Sequence, residues 1–263
     1  DNLTLEVPEA SVARYQSSTG WSDFRRISAH HDFSISRPLM RTLNAKFSKT
    51  YVLRAPANQA WSVKSKPEWV TVTPSSGTGK AEVTITVDEM AASYDRFETT
   101  RMDEWGNYNV ESYEGRAGEI VFLLNDKDYT STMRVEQYNY DHYDGEVIVN
   151  QKASKGNGVN IVFMGDCFDA QDIATGKYLN GINEAIGYYF DIEPYKTYKE
   201  YFNIYTVVGM SADSGVGTVN TVKDAKFGSQ SALNGVQPDE ITTFEHAMRA
   251  ETVNEDNLNQ TLV

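Results

Sequence analysis

Few side chains in this sequence have the type and spacing needed to break bonds, so each can be tested in turn. Two histidines one helical turn apart, with a glutamate following the first, would bind zinc and activate water. The histidines are His30, His31, His142 and His246, and none has that spacing. His30 and His31 are adjacent, so on a strand they would point apart, and Asp32 completes no recognisable site. Glu245-His246 falls on a predicted helix, but His246-Ala-Met-Arg-Ala250 lacks a second histidine. All four are read as structural or surface residues. Gly209-Met-Ser211-Ala-Asp213 imitates a nucleophile elbow, yet its last residue is Asp where the tight turn needs a small one. With no histidine placed to take the serine proton, it is read as a loop leaving a strand. Cys167, the sole cysteine, also lacks a histidine partner and is read as a small buried residue. Asp166 stands apart, because it follows a predicted strand and ligand sites in α/β sheets gather at the carboxyl ends of strands. Either it lines an active-site cleft, or it holds its own turn by accepting backbone hydrogen bonds.

Those residues must be positioned by two differently patterned halves. From Tyr51 to about Lys152 the apolar residues recur at every second position, the strand period. Trp61-Ser-Val63, Trp69-Val-Thr-Val72 and Ala81-Glu-Val83-Thr-Ile85-Thr-Val87 are three such runs, with a Pro74-Ser-Ser-Gly77-Thr-Gly79 turn between the last two. Further strands are predicted at 118–124, 131–137 and 146–151. Residues 8–49 are polar and irregular, and 91–114 interrupts the sheet. Short strands with frequent turns predict an antiparallel, Ig-like β-sandwich over 1–153. Leu3 to Val7 would be its first strand and Gln151, rather than Gln137, its last residue. After a linker at 154–158 the period changes. Val159-Asn-Ile-Val-Phe-Met164 is a continuous apolar run, as for a strand buried on both faces. A helix is predicted over 170–190 with Asp169 or Asp172 as its cap, then a short helix from Pro194 through Phe202, and a second buried strand over 203–208. Strand, helix, strand predicts a right-handed parallel crossover, hence an α/β domain over 159–263. A helix over 238–251 and a strand beginning near 258 follow. The sequence stops while entering that strand, so it is expected to be part of a longer chain.

The strand runs also carry a resemblance. Trp61-Ser-Val, Pro67-Glu-Trp69-Val-Thr-Val, Pro74-Ser-Ser-Gly-Thr-Gly, the Val-Thr-Ile-Thr-Val strand and Arg116-Ala-Gly-Glu-Ile-Val together resemble a BACON domain. Such domains occur in secreted proteins of Bacteroides-type gut bacteria as spacers or carbohydrate-contacting modules. The resemblance therefore implies glycan contact, for which Trp105 and Tyr108, with Tyr94 and Tyr113, are the candidate stacking rings. The other reading is that these rings pack the insertion. In the second half, Val159-Asn-Ile-Val-Phe-Met-Gly-Asp166, Gly176-Lys-Tyr-Leu179, Tyr188-Tyr-Phe-Asp-Ile-Glu-Pro-Tyr-Lys196, Tyr198-Lys-Glu-Tyr-Phe-Asn-Ile-Tyr205 and Ser211-Ala-Asp-Ser-Gly-Val216 follow one another in order. They resemble the amino-terminal part of the IgA-peptidase family of zinc metallopeptidases. That resemblance implies a metallopeptidase-like α/β domain, incomplete here, and peptide-bond hydrolysis in the full-length protein. It implies a protein or glycoprotein substrate, host mucosal ones included. It also implies zinc held by an H-E-x-x-H helix further along, with no catalytic or metal-binding residue inside this segment. A non-catalytic adhesion or glycan-binding protein on a degenerate peptidase scaffold is the alternative.

Composition narrows the remaining classes. With 37 acidic against 24 basic residues the net charge is −13. Nucleic acid and anionic membrane surfaces, which need clustered Lys and Arg, are poor partners for it. No apolar run reaches the length of about 18 residues that a membrane helix needs, and one cysteine cannot form an internal disulfide. The expected location is secreted, cell-surface or periplasmic, by the resemblance.

Overall fold

The computed structural model describes every residue except 1–3, 9–10, 22–25, 31, 92–94, 103–106, 127, 218–221, 233–234, 254–260 and 263. The early strands are β1 (Thr4–Pro8), β2 (Arg26–His30), β3 (Ser34–Ile35), β4 (Leu39–Thr42), β5 (Phe47–Arg54) and β6 (Ala60–Ser65). They are followed by β7 (Val70–Thr73), β8 (Ser76–Thr78), β9 (Ala81–Val87), β10 (Arg96–Met102), β11 (Tyr108–Leu124) and β12 (Tyr129–Tyr138). The late strands are β13 (Val147–Gln151), β14 (Val159–Phe163), β15 (Phe202–Val207), β16 (Gln230–Ala232), β17 (Gly235–Gln237) and β18 (Thr261–Leu262). The helices are α1 (Val12–Ser17), α2 (Ala170–Ala174), α3 (Lys177–Tyr189), α4 (Tyr195–Tyr198) and α5 (Glu240–Ala247). Two compact units emerge: Asp1–Pro38 with Ser48–Thr86 and Glu119–Met133, and Leu39–Phe47 with Val87–Gly118 and Arg134–Val263.

The first unit is a β-sandwich. One sheet has the order β3-β5-β9-β7, and the other contributes β12-β11-β6-β8. Alternation sends Val83 and Ile85 inward, where they are fully buried with Trp61, Val70, Ile120 and Phe122. On the outer face the hydroxyls of Thr50 and Thr84 pair at 2.9 Å, as do those of Ser48 and Thr86. The Trp61 indole donates to Gly79 O at 3.0 Å, and a Cβ on Gly77 would lie 2.7 Å from its ring. That close approach explains the glycine at 77, which lies in strand β8 opposite Trp61 and not in the turn expected over 74–79.

Three expectations at the sandwich are corrected. The 4–8 strand pairs in parallel with β2 in a separate two-stranded sheet. The 8–49 stretch is not irregular, for it includes α1 and three strands, β2 to β4. The 91–114 stretch does not break the sheet: β10 and the start of β11 form an antiparallel ribbon from Arg96↔Glu114 to Met102↔Tyr108. Among that ribbon's described side chains only Phe97 is buried, so neither face shows an apolar period to read.

In the second unit β4 pairs in parallel with the end of β12. Gln137 there is fully buried, donating to Leu43 O, Asn44 O and Asp88 O while accepting from Arg116 at 2.7 Å. Gln151 plays no such part. Its strand β13, expected to close the sandwich, pairs antiparallel with β15. The sheet order is β13-β15-β14-β18, with β14 parallel to both of its neighbours. Successive residues of β14 pack on opposite faces. Ile161 and Phe163 join Ile186 and Tyr189 of α3, whereas Val162 joins Ala247 at the end of α5. Helices thus cover both faces, as the continuous apolar run predicted. The helix expected over 170–190 breaks at Gly176, whose φ of 78° is left-handed.

Candidate functional site

Chain order makes β14 the switch strand of the parallel sheet. The chain leaves β14, crosses by α3 to β15 on one side, and returns by α5 to β18 on the other. At such a reversal the loops beyond the strand ends part company and leave a crevice, the usual ligand site of open α/β sheets. Asp166 lies in that loop. Its Oδ1 accepts from Cys167 N at 2.8 Å and from the Ser211 hydroxyl at 3.0 Å. Its Oδ2 accepts from Phe227 N at 3.2 Å and Ser229 N at 3.1 Å. Burial pushes this carboxyl up, but the donors at Ser229, Cys167 and Phe227 more than offset it and hold Asp166 below the ordinary range. One side chain therefore ties together three loops: those after β14, after β15 and around 227–229.

Neighbouring groups complete the clasp. Ser211 Oγ also accepts from Cys167 N at 3.0 Å and Lys226 N at 2.9 Å, so with its own bond to Asp166 the hydroxyl has three lines of contact. Tyr178, fully buried on α3, donates to Val207 O at 3.0 Å and accepts from Gly165 N and Gly209 N. Asp144 holds the same region from another side, accepting from Met210 N at 2.9 Å and from Lys226 Nζ at 2.6 Å. Beside Asp166 lies a cavity of about 360 Å³ walled by Val162, Met164, Val216, Phe227 and Pro238. Cys167 borders it in a left-handed conformation (φ 65°), with burial and Asp166 pushing its thiol up and keeping it protonated.

A second polar cluster sits three residues along. Asp169 caps α2 by accepting from Asp172 N at 3.0 Å, and its Oδ2 meets Arg41 at 2.7 Å. Arg41 also bonds Glu136 at 3.0 Å, and Glu136 receives Arg134 at 2.8 Å and the Tyr138 hydroxyl at 2.9 Å. Burial works against the Arg41 charge, but Asp169 and Glu136 raise its pKa well above the ordinary range. Burial raises the Asp169 carboxyl, with Arg41 opposing it.

Residues 59–96 match the BACON family. The family description is "Putative binding domain, N-terminal". Comparison with curated proteins finds no match. Among solved structures, a Bacteroides ovatus GH5 xyloglucanase in complex with an XXXG heptasaccharide is similar at 15% identity and TM-score 0.30, over 47% of this chain and 24% of that one. A Caenorhabditis elegans MSP family member is similar at 13% identity and TM-score 0.27, over 42% of this chain and all of its own. The Vibrio cholerae VesB protease is similar at 13% identity and TM-score 0.25, over 41% of this chain and 32% of that one. The chain thus spans about a quarter of the xyloglucanase's length.

The singled-out residues fall in separate places. Asp166, Cys167 and Ser211 come together at the switch loop. His246 is buried, with Nε2 2.8 Å from Val208 O and burial lowering its pKa, while His142 pairs with Glu146 at 2.6 Å. The side chain of His30 and the whole of His31 lie outside the described residues. Among the described residues no three His, Cys, Asp or Glu are grouped to hold a metal. Tyr108 is 74% exposed at the ribbon's end, whereas Tyr113 packs against Phe97 and Tyr138. Trp105 and Tyr94 lie outside the described residues. The sequence reading missed Arg41, Glu136 and Tyr178, and it set Gln137 aside in favour of Gln151. For Asp169 it supplied the cap but not the ion pair.

Proposed function

We propose that this chain is the amino-terminal portion of an exported zinc metallopeptidase, with residues 159–263 forming one wall of its cleft and the sandwich serving as spacer or docking module. The observation that carries this reading is Asp166 at the switch point beside an open cavity, in a segment whose ordered sequence blocks resemble the IgA-peptidase family. The donors described above do not fit zinc, since His142 and His246 are engaged elsewhere. The ligands are therefore assigned to an H-E-x-x-H helix further along the full-length chain, and no catalytic step is given to the residues described here. Their part is to fix the loops that border the substrate. The test is metal content and peptide cleavage by the full-length protein. Bound zinc with chelator-sensitive proteolysis of protein or glycoprotein substrates is expected, and a metal-free protein that cleaves none of them would sink the reading.

A second reading is a non-catalytic glycan-binding or adhesion protein. It is favoured by the binding-domain match over 59–96 and by the exposed Tyr108 ring. Sugar binding by the chain, with no proteolysis by any longer form, would establish it.

A further inference from the structure

We propose that the cavity beside Asp166 is a pocket for one apolar side chain of a peptide substrate, an inference that rests on the peptidase reading. Five apolar residues form most of its wall, and the oxygen-bearing side chains that border it are already engaged. Both Asp166 oxygens accept two hydrogen bonds each from protein donors. Ser229 gives its amide to Asp166, and its side chain bonds the same carboxylate. The Thr243 hydroxyl donates to Asp239 O at 2.6 Å, and the Cys167 thiol stays protonated. Among the described residues no lysine or arginine lines the cavity, so an anionic ligand would find no counter-charge there. A polar ligand would lose its water without gaining partners, which costs more than burial returns, whereas an apolar group loses nothing. About 360 Å³ lies at the small end of ligand pockets, of about 300–1,000 Å³, and has room for one apolar side chain. The pocket opens where the substrate is expected, at the carboxyl ends of the parallel strands.

The experiment titrates the 263-residue chain with N-acetyl-phenylalaninamide, N-acetyl-leucinamide and N-acetyl-lysinamide. Binding is followed through the backbone amide NMR signals of Cys167, Phe227 and Ser229. Saturable shifts are expected with the first two amides and at least tenfold weaker binding of the third. V216W fills the pocket mouth from a position that is 42% exposed, so it should fold normally and weaken the apolar amides at least tenfold. V216E, a smaller change at the same position, should do likewise and serves if V216W unfolds. Absent binding, equal binding of the lysine amide, or binding indifferent to both variants would overturn the pocket. The two readings fail separately. Cleavage by the full-length protein with residue preference unmoved by V216W removes the pocket and keeps the peptidase. Apolar-amide binding with no cleavage removes the peptidase and leaves an apolar-ligand pocket.

Discussion

Asp166 and Asp169 lie three residues apart, and the regions around them hold a carboxylate in opposite ways. Around Asp166 the donors among the described residues are neutral: backbone amides and serine hydroxyls. Around Asp169 the principal donor is Arg41, which also bonds Glu136. The first arrangement is a loop clasp beside an open cavity, and the second is a closed ion network inside packed strands and a helix start. A carboxylate held by amides remains charged with both oxygens filled by protein donors, and so fixes the loops that border the cavity. A carboxylate held by arginine is spent on joining β4, β12 and α2. Position along the chain does not separate the two, but their partners do.

The comparison is broken most severely at Arg41. Arg41→Ala leaves two buried carboxylates short of their shared cation, and losing one partner of a buried pair typically costs about 3–5 kcal/mol. Chemical denaturation should show that loss, and a change below about 1 kcal/mol would mean that Arg134 and Tyr138 suffice for Glu136. Next comes Asp166→Asn, where neutral donors lose a charged acceptor, worth about 1.5–3 kcal/mol. The two aspartates should also answer pH with opposite signs. Asp166 is held low in the fold, so the unfolded chain binds its proton first. Its contribution is present above the ordinary carboxylate pKa and lost as pH falls through the lower folded value. Asp169 is held high, so its ionised form burdens the fold above the raised value, and acid relieves that burden. Across the acidic limb of a stability–pH curve, Asp166→Asn should flatten the slope and Asp169→Asn should steepen it. Equal changes would erase the distinction.

A gentler cut is Tyr178→Phe. It keeps the ring in its buried place and removes only the hydroxyl shared by Val207 O, Gly165 N and Gly209 N. Leaving buried backbone groups unpaired costs about 1–3 kcal/mol. Faster amide exchange at Gly165 and Gly209, with the sandwich amides unchanged, would place that loss at the switch loops. Uniform exchange throughout would deny them a local role.

What the sequence made legible divides along the same line. The period of two in Val83, Ile85 and Val87 and the unbroken run 159–164 report burial directly, because a strand's exposure repeats in its residue types. Asp166 could be singled out because its place after a buried strand is a local fact. Arg41 and Glu136 could not, since they are 95 residues apart and meet only through the β4–β12 pairing. Gln137 was passed over for Gln151 because both end alternating runs, and only strand pairing tells them apart. The 96–114 ribbon was hidden for another reason. Phe97 is its one buried described residue, and Val110 and Tyr108 stand 69% and 74% exposed, so the usual apolar signal is absent.

That ribbon is also where the smallest effect on folding is expected. Tyr108 buries little, and substitutions at such sites usually change stability by less than about 0.5 kcal/mol. Tyr108→Ala should therefore leave denaturation curves unchanged, so any change in sugar binding reports contact rather than folding. A ring that stacks on a base-sized face contributes about 1–3 kcal/mol, and a sugar face offers a comparable platform. On a glycan array a contact of that size would appear as a loss of roughly 5- to 150-fold in affinity. The paired Trp105→Ala variant asks the same of a residue that falls in sequence between β10 and β11. Binding that survives both substitutions would remove Tyr108 and Trp105 from any glycan site. Binding lost in both, with Asp166→Asn still binding normally, would show that the chain's two candidate surfaces act independently.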